Sequence, residues 1–163
     1  MAGWKKIMTA TLAGGALIGT AVYVMRLNKM SMELENIPRI MLHKVDSTGV
    51  TIRIDIQLKN PTRVGFKIKF PFVKLIYQNE TVGSSQAVDK EITIPPYGEA
   101  VISAVMIRIP LLSIFSKSGS LIRAVLNKQP VKVDVKTITT VDLGWRKVPY
   151  SKTDPLTLNT AKA

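Results

Sequence analysis

The residues Val50 to Leu58, "VTIRIDIQL", alternate strictly between apolar and polar side chains, and this alternation constrains the fold more than any other feature. Five aliphatic side chains point one way along an extended chain, while Thr51, Arg53, Asp55 and Gln57 point the other way. This pattern predicts a half-buried antiparallel strand. The turn sequence Ser47-Thr48-Gly49 precedes it, so we expect Ile37 to Val45 to be its partner strand.

Further strands are predicted along the rest of the chain. They cover 66–70, 72–78, 81–85, 87–94, 100–109, 131–136, 143–150 and 156–160. Asn79-Glu80 is predicted as a hairpin turn, and the almost wholly apolar run 100–109 as a strand buried on both faces. The segment 110–130 predicts two short helices, the first starting at Pro110 and the second capped by Ser118 or Ser120. Short antiparallel strands with one helical insertion predict a mainly β fold, a β-sandwich over residues 30–163.

A run of 19 uncharged residues, from 7 to 25, precedes this β-rich part. As a helix it would be about 28 Å long, which matches the roughly 30 Å hydrocarbon core of a bilayer. We therefore predict an N-terminal membrane anchor over residues 1–29, with a single transmembrane helix at about 7–25. The residues assigned to this anchor are aromatic or basic at its ends and small along one face: Trp4, Lys5, Lys6, Gly15, Gly19, Tyr23 and Arg26.

Two other readings of this run stay open, a cleaved signal peptide and a buried core helix. The spacing of Thr11, Gly15 and Gly19 would let helices approach closely in lipid, which makes self-association an alternative to simple anchoring. The side of the membrane on which the β-rich part lies is not determined by the flanking charges. The predicted localisation is thus a membrane, with one N-terminal span.

The net charge is +12, of which +4 belongs to residues 1–29 and +8 to the remainder. Such a chain favours anionic partners, which include lipid headgroups, glycans and nucleic acid. We predict an exposed basic face for an anionic partner at Lys67, Lys69, Lys74, Lys132 and Lys136. The alternative is that these lysines are solvated and protect sheet edges. Specific readout of nucleic acid is not expected, because the aromatic residues Phe66 and Phe70 share the predicted inner face with Ile68.

No catalytic or cofactor-binding pattern is present. The chain has no cysteine and a single histidine, His43, so familiar metal-ligand spacings cannot be built. Its eleven carboxylates are scattered, and neither a nucleophile elbow nor a phosphate-binding loop occurs. We predict that the protein is not an enzyme and that it uses no cofactor or metal.

Three stretches, "IQLKNPT", "KFPFVKLIYQNETVGSS" and "ITIPPYGEAVISAVMIRIP", resemble the late embryogenesis abundant type 2 family, which overlaps the water-stress and hypersensitive-response domain. The resemblance spans Ile37 to Val148, and its motif residues are Asn60, Pro61 and Thr62. It implies a fibronectin- or immunoglobulin-like antiparallel β-sandwich with a short helix, no catalytic site, and a role in stress protection or at membranes. With the predicted anchor, the chain resembles membrane-anchored bacterial or phage-type members. In the motif, Pro61 should end the strand and Asn60 should bond to nearby backbone.

The sequence therefore predicts a non-catalytic, membrane-tethered β-sandwich with a binding or structural role. Its expected partners are the bilayer, other proteins or further copies of itself, and anionic lipid or glycan. One alternative is a structural component of a larger assembly, such as a membrane-containing virion or an envelope machine. A further alternative is a stress-protective protein.

Overall fold

The computed structural model describes residues 34–110 and 118–159, which form nine antiparallel strands and one helix. The predicted anchor, residues 1–29, lies outside the described residues. In chain order the elements are β1 (Glu35–Asp46), β2 (Gly49–Lys59), β3 (Phe66–Lys69), β4 (Phe72–Tyr77), β5 (Glu80–Ser84), β6 (Glu91–Ile94), β7 (Glu99–Pro110), α1 (Ser118–Leu126), β8 (Val131–Asp142) and β9 (Lys147–Leu158).

The smaller sheet has the order β1-β2-β7, and β2 is its centre. The prediction for β2 is confirmed, since its five aliphatic side chains are buried and the polar ones between them face outward. β1 is its partner, as expected. The turn between them forms because the carboxylate of Asp46 accepts hydrogen bonds from the backbone N–H groups of Thr48 and Gly49, at 2.9 and 3.1 Å.

The larger sheet is organised around β8. β9 pairs with β8 along its whole length, while β4 and β3 share the opposite edge of β8. β3 and β4 are therefore two halves of one strand, which is interrupted at Phe70-Pro71 because proline cannot donate to the ladder. β6 pairs with the first half and β5 with the second.

The inner faces of the two sheets meet in one apolar core, to which α1 adds Leu121, Ile122 and Val125. Fully buried aliphatic side chains dominate this core. Each stabilises the fold by roughly 1.5–3 kcal/mol relative to exposure. Gly83 of β5 lies so close to β7 that an added Cβ would be 2.7 Å from Cγ2 of Ile107. The mainly β, antiparallel, two-sheet fold predicted from the sequence is confirmed.

The prediction that 100–109 is buried on both faces is wrong. β7 alternates, and its outward side chains include Val101 and Met106, which are 61% and 39% exposed. A continuous apolar run does not reveal whether a second layer covers the outer face. In the described residues no second layer covers this outer face.

Several predicted element bounds also differ. Pro110 is the last residue of β7 and lies opposite Gly49, which the edge position of β7 permits. The strand expected at 87–94 is confined to Glu91–Ile94, because the preceding residues form no ladder. The two closing strands are one continuous strand, β9, which tolerates Pro155 at the sheet edge. The helix predicted at the start of 110–130 falls on residues 111–117, outside the described residues.

Candidate binding surface

The five lysines predicted as a basic face all project from the outward side of the larger sheet. Inward and outward side chains alternate along these strands. Ile68 and Val135 point into the core, so their neighbours Lys67 and Lys136 point outward. We call this side the basic face and define it by Lys67, Lys69, Lys74, Lys132 and Lys136. Residues from three strands, β3, β4 and β8, are thus brought onto one surface.

Two of these lysines have acidic partners. Lys67 lies 3.9 Å from Glu91, and Lys69 lies 3.1 Å from Asp89. All four side chains are at least half exposed. Exposed ion pairs of this kind contribute about 0–1 kcal/mol. Their charges are therefore largely balanced within the molecule.

The other three lysines have no ion-pair partner among the described residues. Lys74 of β4 and Lys136 of β8 are directly opposite each other in the ladder. Opposed residues have Cβ atoms only about 4.5–5.5 Å apart, and like charges at this spacing destabilise a sheet. Lys132 lies four residues before Lys136 on the same face, about 13 Å away along the strand. We call Lys74, Lys132 and Lys136 the lysine trio.

Apolar side chains accompany the lysine trio. Phe72 and Ile138 are an opposed outward pair beside it, Ile76 lies on its other side, and all three are half-buried. The ammonium group of Lys74 is 5.9 Å from the centroid of the Phe72 ring, within cation–π range. The sequence predicted separate strands at 66–70 and 72–78, but it did not predict that the inward-facing positions change from even to odd numbers between them, which turns Phe72 and Ile76 outward.

A shallow depression of about 330 Å³ opens beside the trio and is lined by residues that include Ile76, Lys132, Asp134, Pro155 and Thr157. Asp134 separates Lys132 from Lys136 on β8, and the register places it opposite Ile76. The surface thus combines ammonium donors with half-buried apolar side chains, and it includes one carboxylate, that of Asp134. Such a combination suits a phosphate- or sulfate-bearing ligand whose remaining surface is apolar or flat.

The motif residues Asn60, Pro61 and Thr62 lie elsewhere, at one end of the sandwich. Asn60 is buried, and its amide nitrogen donates to the carbonyl oxygens of Val64 and Pro95, both at 2.9 Å. Its side-chain oxygen accepts from the backbone N–H of Thr62 at 2.9 Å and from the Thr62 hydroxyl at 2.7 Å. The expectation that β2 ends before Pro61 and that Asn60 shapes the connection is confirmed. The motif residues therefore hold two turns together.

A cleft of about 560 Å³ lies between the edge of β7 and the segment after β5. Its lining mixes apolar and polar side chains, among them Phe70, Ser85, Val88, Met106 and Arg108. It gathers no titratable cluster. His43 is exposed on β1, away from this lining. Across residues 34–110 and 118–159, no three His, Cys, Asp or Glu side chains are grouped so as to hold a metal ion.

The described residues include no helix long and apolar enough to cross a membrane. The anchor assigned to Trp4, Lys5, Lys6, Gly15, Gly19, Tyr23 and Arg26 falls on residues outside them, so it stays a prediction from the sequence.

Comparison with known proteins bears on the fold. No protein-family model and no curated protein matches the sequence. A crystal structure of a protein from Archaeoglobus fulgidus matches with a TM-score of 0.52 at 13% identity, over 80% of this chain and all of that one. The two chains share a fold. A solution structure of an Arabidopsis thaliana protein follows, with a TM-score of 0.47 and 15% identity, covering 80% of this chain and 84% of that one. A solution structure of a protein assigned provisionally to the late embryogenesis abundant proteins gives a TM-score of 0.39 at 14% identity, covering 98% of this chain and 91% of that one.

Proposed function

We propose that the protein is a non-catalytic binding module, tethered to a membrane by residues 7–25, whose basic face engages an anionic partner. The observation that carries this proposal is the opposition of Lys74 and Lys136 in the ladder. A like-charge pair costs stability in the free protein, and an anion between the two ammonium groups removes that cost. Lys132 extends the positive region, and Phe72 and Ile138 supply apolar contact area beside it.

The partner class that this surface fits is a sulfated or phosphorylated polymer or lipid surface. Lysines bind such groups as point charges, without the bidentate geometry that arginine offers. Binding should therefore be tolerant of the ligand's structure and should weaken as salt screens the charges, over a distance of about 8 Å at physiological ionic strength.

The test uses the full chain in nanodiscs of zwitterionic lipid, titrated separately with heparin and with phosphatidylserine vesicles. Replacing the lysine trio by alanine should weaken binding about 100-fold, since each basic residue near an anionic surface contributes about 1 kcal/mol. A matched control replaces three basic residues outside the basic face, Arg39, Lys44 and Arg123, by alanine. Equal losses in the two triple variants would mean that only net charge matters, and the proposed site would be abandoned.

A second candidate function is a structural role in an assembly. The outward side of the smaller sheet favours it, because Met41, Val101 and Met106 are each 39–61% exposed there. The mass of the complex extracted in native nanodiscs separates the candidates. A monomer argues against an assembly, while a defined oligomer or a shell of other proteins supports it. The family resemblance also implies stress protection, which an aggregation assay with a heat-labile enzyme would test.

A further inference from the structure

One end of the sandwich collects the connections 60–65, 95–98 and 143–146. The ladders place them together: Glu35 and Glu99 both flank Lys59 at this end, and Asp142 lies beside Lys67 just before the hairpin turn 143–146. The described chain also enters here, at Leu34, whose carbonyl oxygen accepts a hydrogen bond from Tyr150. We call this the entry end.

The three turns at the entry end expose large apolar and aromatic side chains. Val64 is 47%, Tyr97 67% and Trp145 53% exposed. The first two turns are fastened to each other, because the Tyr97 N–H donates to the Thr62 carbonyl oxygen at 3.0 Å and the guanidinium of Arg63 donates to the Tyr97 hydroxyl at 3.1 Å.

The charges in these turns have one sign. Residues 60–65, 95–98 and 143–146 contain Arg63 and Arg146 and no acidic residue. The described turns at the opposite end, residues 47–48, 78–79 and 127–130, contain neither an aromatic residue nor a large aliphatic one. The exposed aromatic and large apolar side chains therefore belong to the entry end among the described turns, while the opposite turns carry one basic residue, Lys128.

We propose that the entry end rests on the surface of a phospholipid bilayer, with Trp145 and Tyr97 in the headgroup region. This inference rests on the proposed membrane tether. Trp and Tyr favour that region because their rings are apolar and their polar atoms stay hydrated. Arg63 and Arg146 are placed to meet anionic headgroups.

Chain length supports the same orientation. Only residues 26–33 separate the uncharged run from Leu34. A segment of this length spans at most about 28 Å when fully extended. β1 has 12 residues and β2 has 11. Strands of this length extend over about 40 Å, so the opposite end lies that much further from Leu34. The entry end is the part of the sandwich that a short connection keeps within reach of the bilayer.

The experiment reads the environment of Trp145 in the full chain, reconstituted in phosphatidylcholine–phosphatidylglycerol vesicles. The sequence has two tryptophans, so Trp4→Phe leaves Trp145 as the single reporter. We expect a blue-shifted emission and loss of more than half the intensity when phospholipids brominated near the headgroup are included. The control carries Trp4→Phe, Trp145→Phe and Val45→Trp, which puts the reporter at the exposed opposite end, where we expect no quenching.

Flotation of the same vesicles after an alkaline wash separates the two proposals. If the chain does not float with the lipid, the tether itself is wrong and both proposals fall. If it floats but Trp145 is no more quenched than the Val45→Trp reporter, the tether stands and the docked entry end is overturned. Far-ultraviolet circular dichroism of each variant establishes that the sandwich is folded.

Discussion

The side-chain amide of Asn60 reaches 35 residues along the chain to donate a hydrogen bond to the carbonyl oxygen of Pro95, at 2.9 Å. The same amide group donates to the carbonyl oxygen of Val64 and accepts from the N–H of Thr62. One buried side chain therefore joins the turn after β2 to the turn before β7. This relationship gives the Asn-Pro-Thr motif a structural meaning.

Asn60→Ala should lower the free energy of unfolding by about 2–3 kcal/mol, because the buried N–H of Thr62 loses its acceptor and the carbonyl oxygens of Val64 and Pro95 each lose one donor. Urea unfolding of the detergent-solubilised full chain measures this change. Asn159→Ala is the control, since Asn159 is exposed. Substitution of such a surface residue should change stability by no more than about 0.5 kcal/mol. Similar values for the two variants would remove the structural role assigned to the motif.

Lys136→Glu should affect stability and binding in opposite directions. It converts the opposed pair with Lys74 into an attractive one, so we expect the fold to gain about 0.5 kcal/mol while heparin affinity falls. Lys132→Glu is a close control. Lys132 and Lys136 are equally far from Asp134 in the sequence, but Lys132 has no lysine opposite it in the ladder. That variant should lose affinity without gaining stability, and a stability gain in both would contradict the proposed repulsion.

Asp55→Asn should destabilise the fold by about 2 kcal/mol at neutral pH. Asp55 accepts hydrogen bonds from Arg53 at 3.0 and 3.1 Å and from the backbone N–H of Ala104 at 2.7 Å, where β7 bulges with a φ of 60°. Burial raises the pKa of this carboxyl. The hydrogen bonds from Arg53 and Ala104, together with the nearby arginine charges, lower the pKa by more than burial raises it, so the pKa lies below 3.8.

The contribution of Asp55 is therefore present above pH 3.8 and is lost as the pH falls through the lower folded-state pKa. Urea midpoints at pH 7 and pH 3 should show the gap between wild type and Asp55→Asn narrowing in acid. Asp89→Asn, at a side chain that is 91% exposed, is the control and should track the wild type. A gap that stays constant would show that the charge of Asp55 is unimportant.

Tyr150→Phe should make the fold less sensitive to alkali. Burial, with a smaller contribution from the charge of Asp154, raises the pKa of Tyr150 to about 12, from 10.0. The unfolded chain thus ionises at a lower pH than the folded one, so the stabilising effect is complete below pH 10 and is lost between about pH 10 and 12.

At pH 8 the Phe variant should be less stable by about 1 kcal/mol, because a buried hydrogen bond is lost. This bond runs from the Tyr150 hydroxyl to the Leu34 carbonyl oxygen and is 3.2 Å long. At pH 11.5 the deficit should shrink or reverse. Urea unfolding at both pH values measures it, and an unchanged deficit would mean that the phenol does not titrate differently in the folded state.

The sequence predicted those elements that are determined by residues close together in the chain. The alternation of β2, its pairing with β1 and the end of the strand before Pro61 all depend on neighbouring residues, and the structure confirms them. The outward exposure of Val101 and the continuity of β9 through Pro155 could not be predicted, because both depend on which strands lie at an edge. The lysines of the basic face could be named individually, but the opposition of Lys74 and Lys136 required the register of two strands that lie far apart in the chain.

The interruption at Phe70-Pro71 has a consequence for engineering. Because β5 and β6 pair with separate halves of the broken strand, the segment Gln86 to Asp89 between them belongs to no ladder, and its side chains are exposed. Insertions are tolerated best where the backbone carries no sheet pairing. An epitope tag or a fluorescent reporter placed between Ala87 and Val88 would leave both ladders intact, and it would report on the protein in cells without altering either the lysine trio or the entry end.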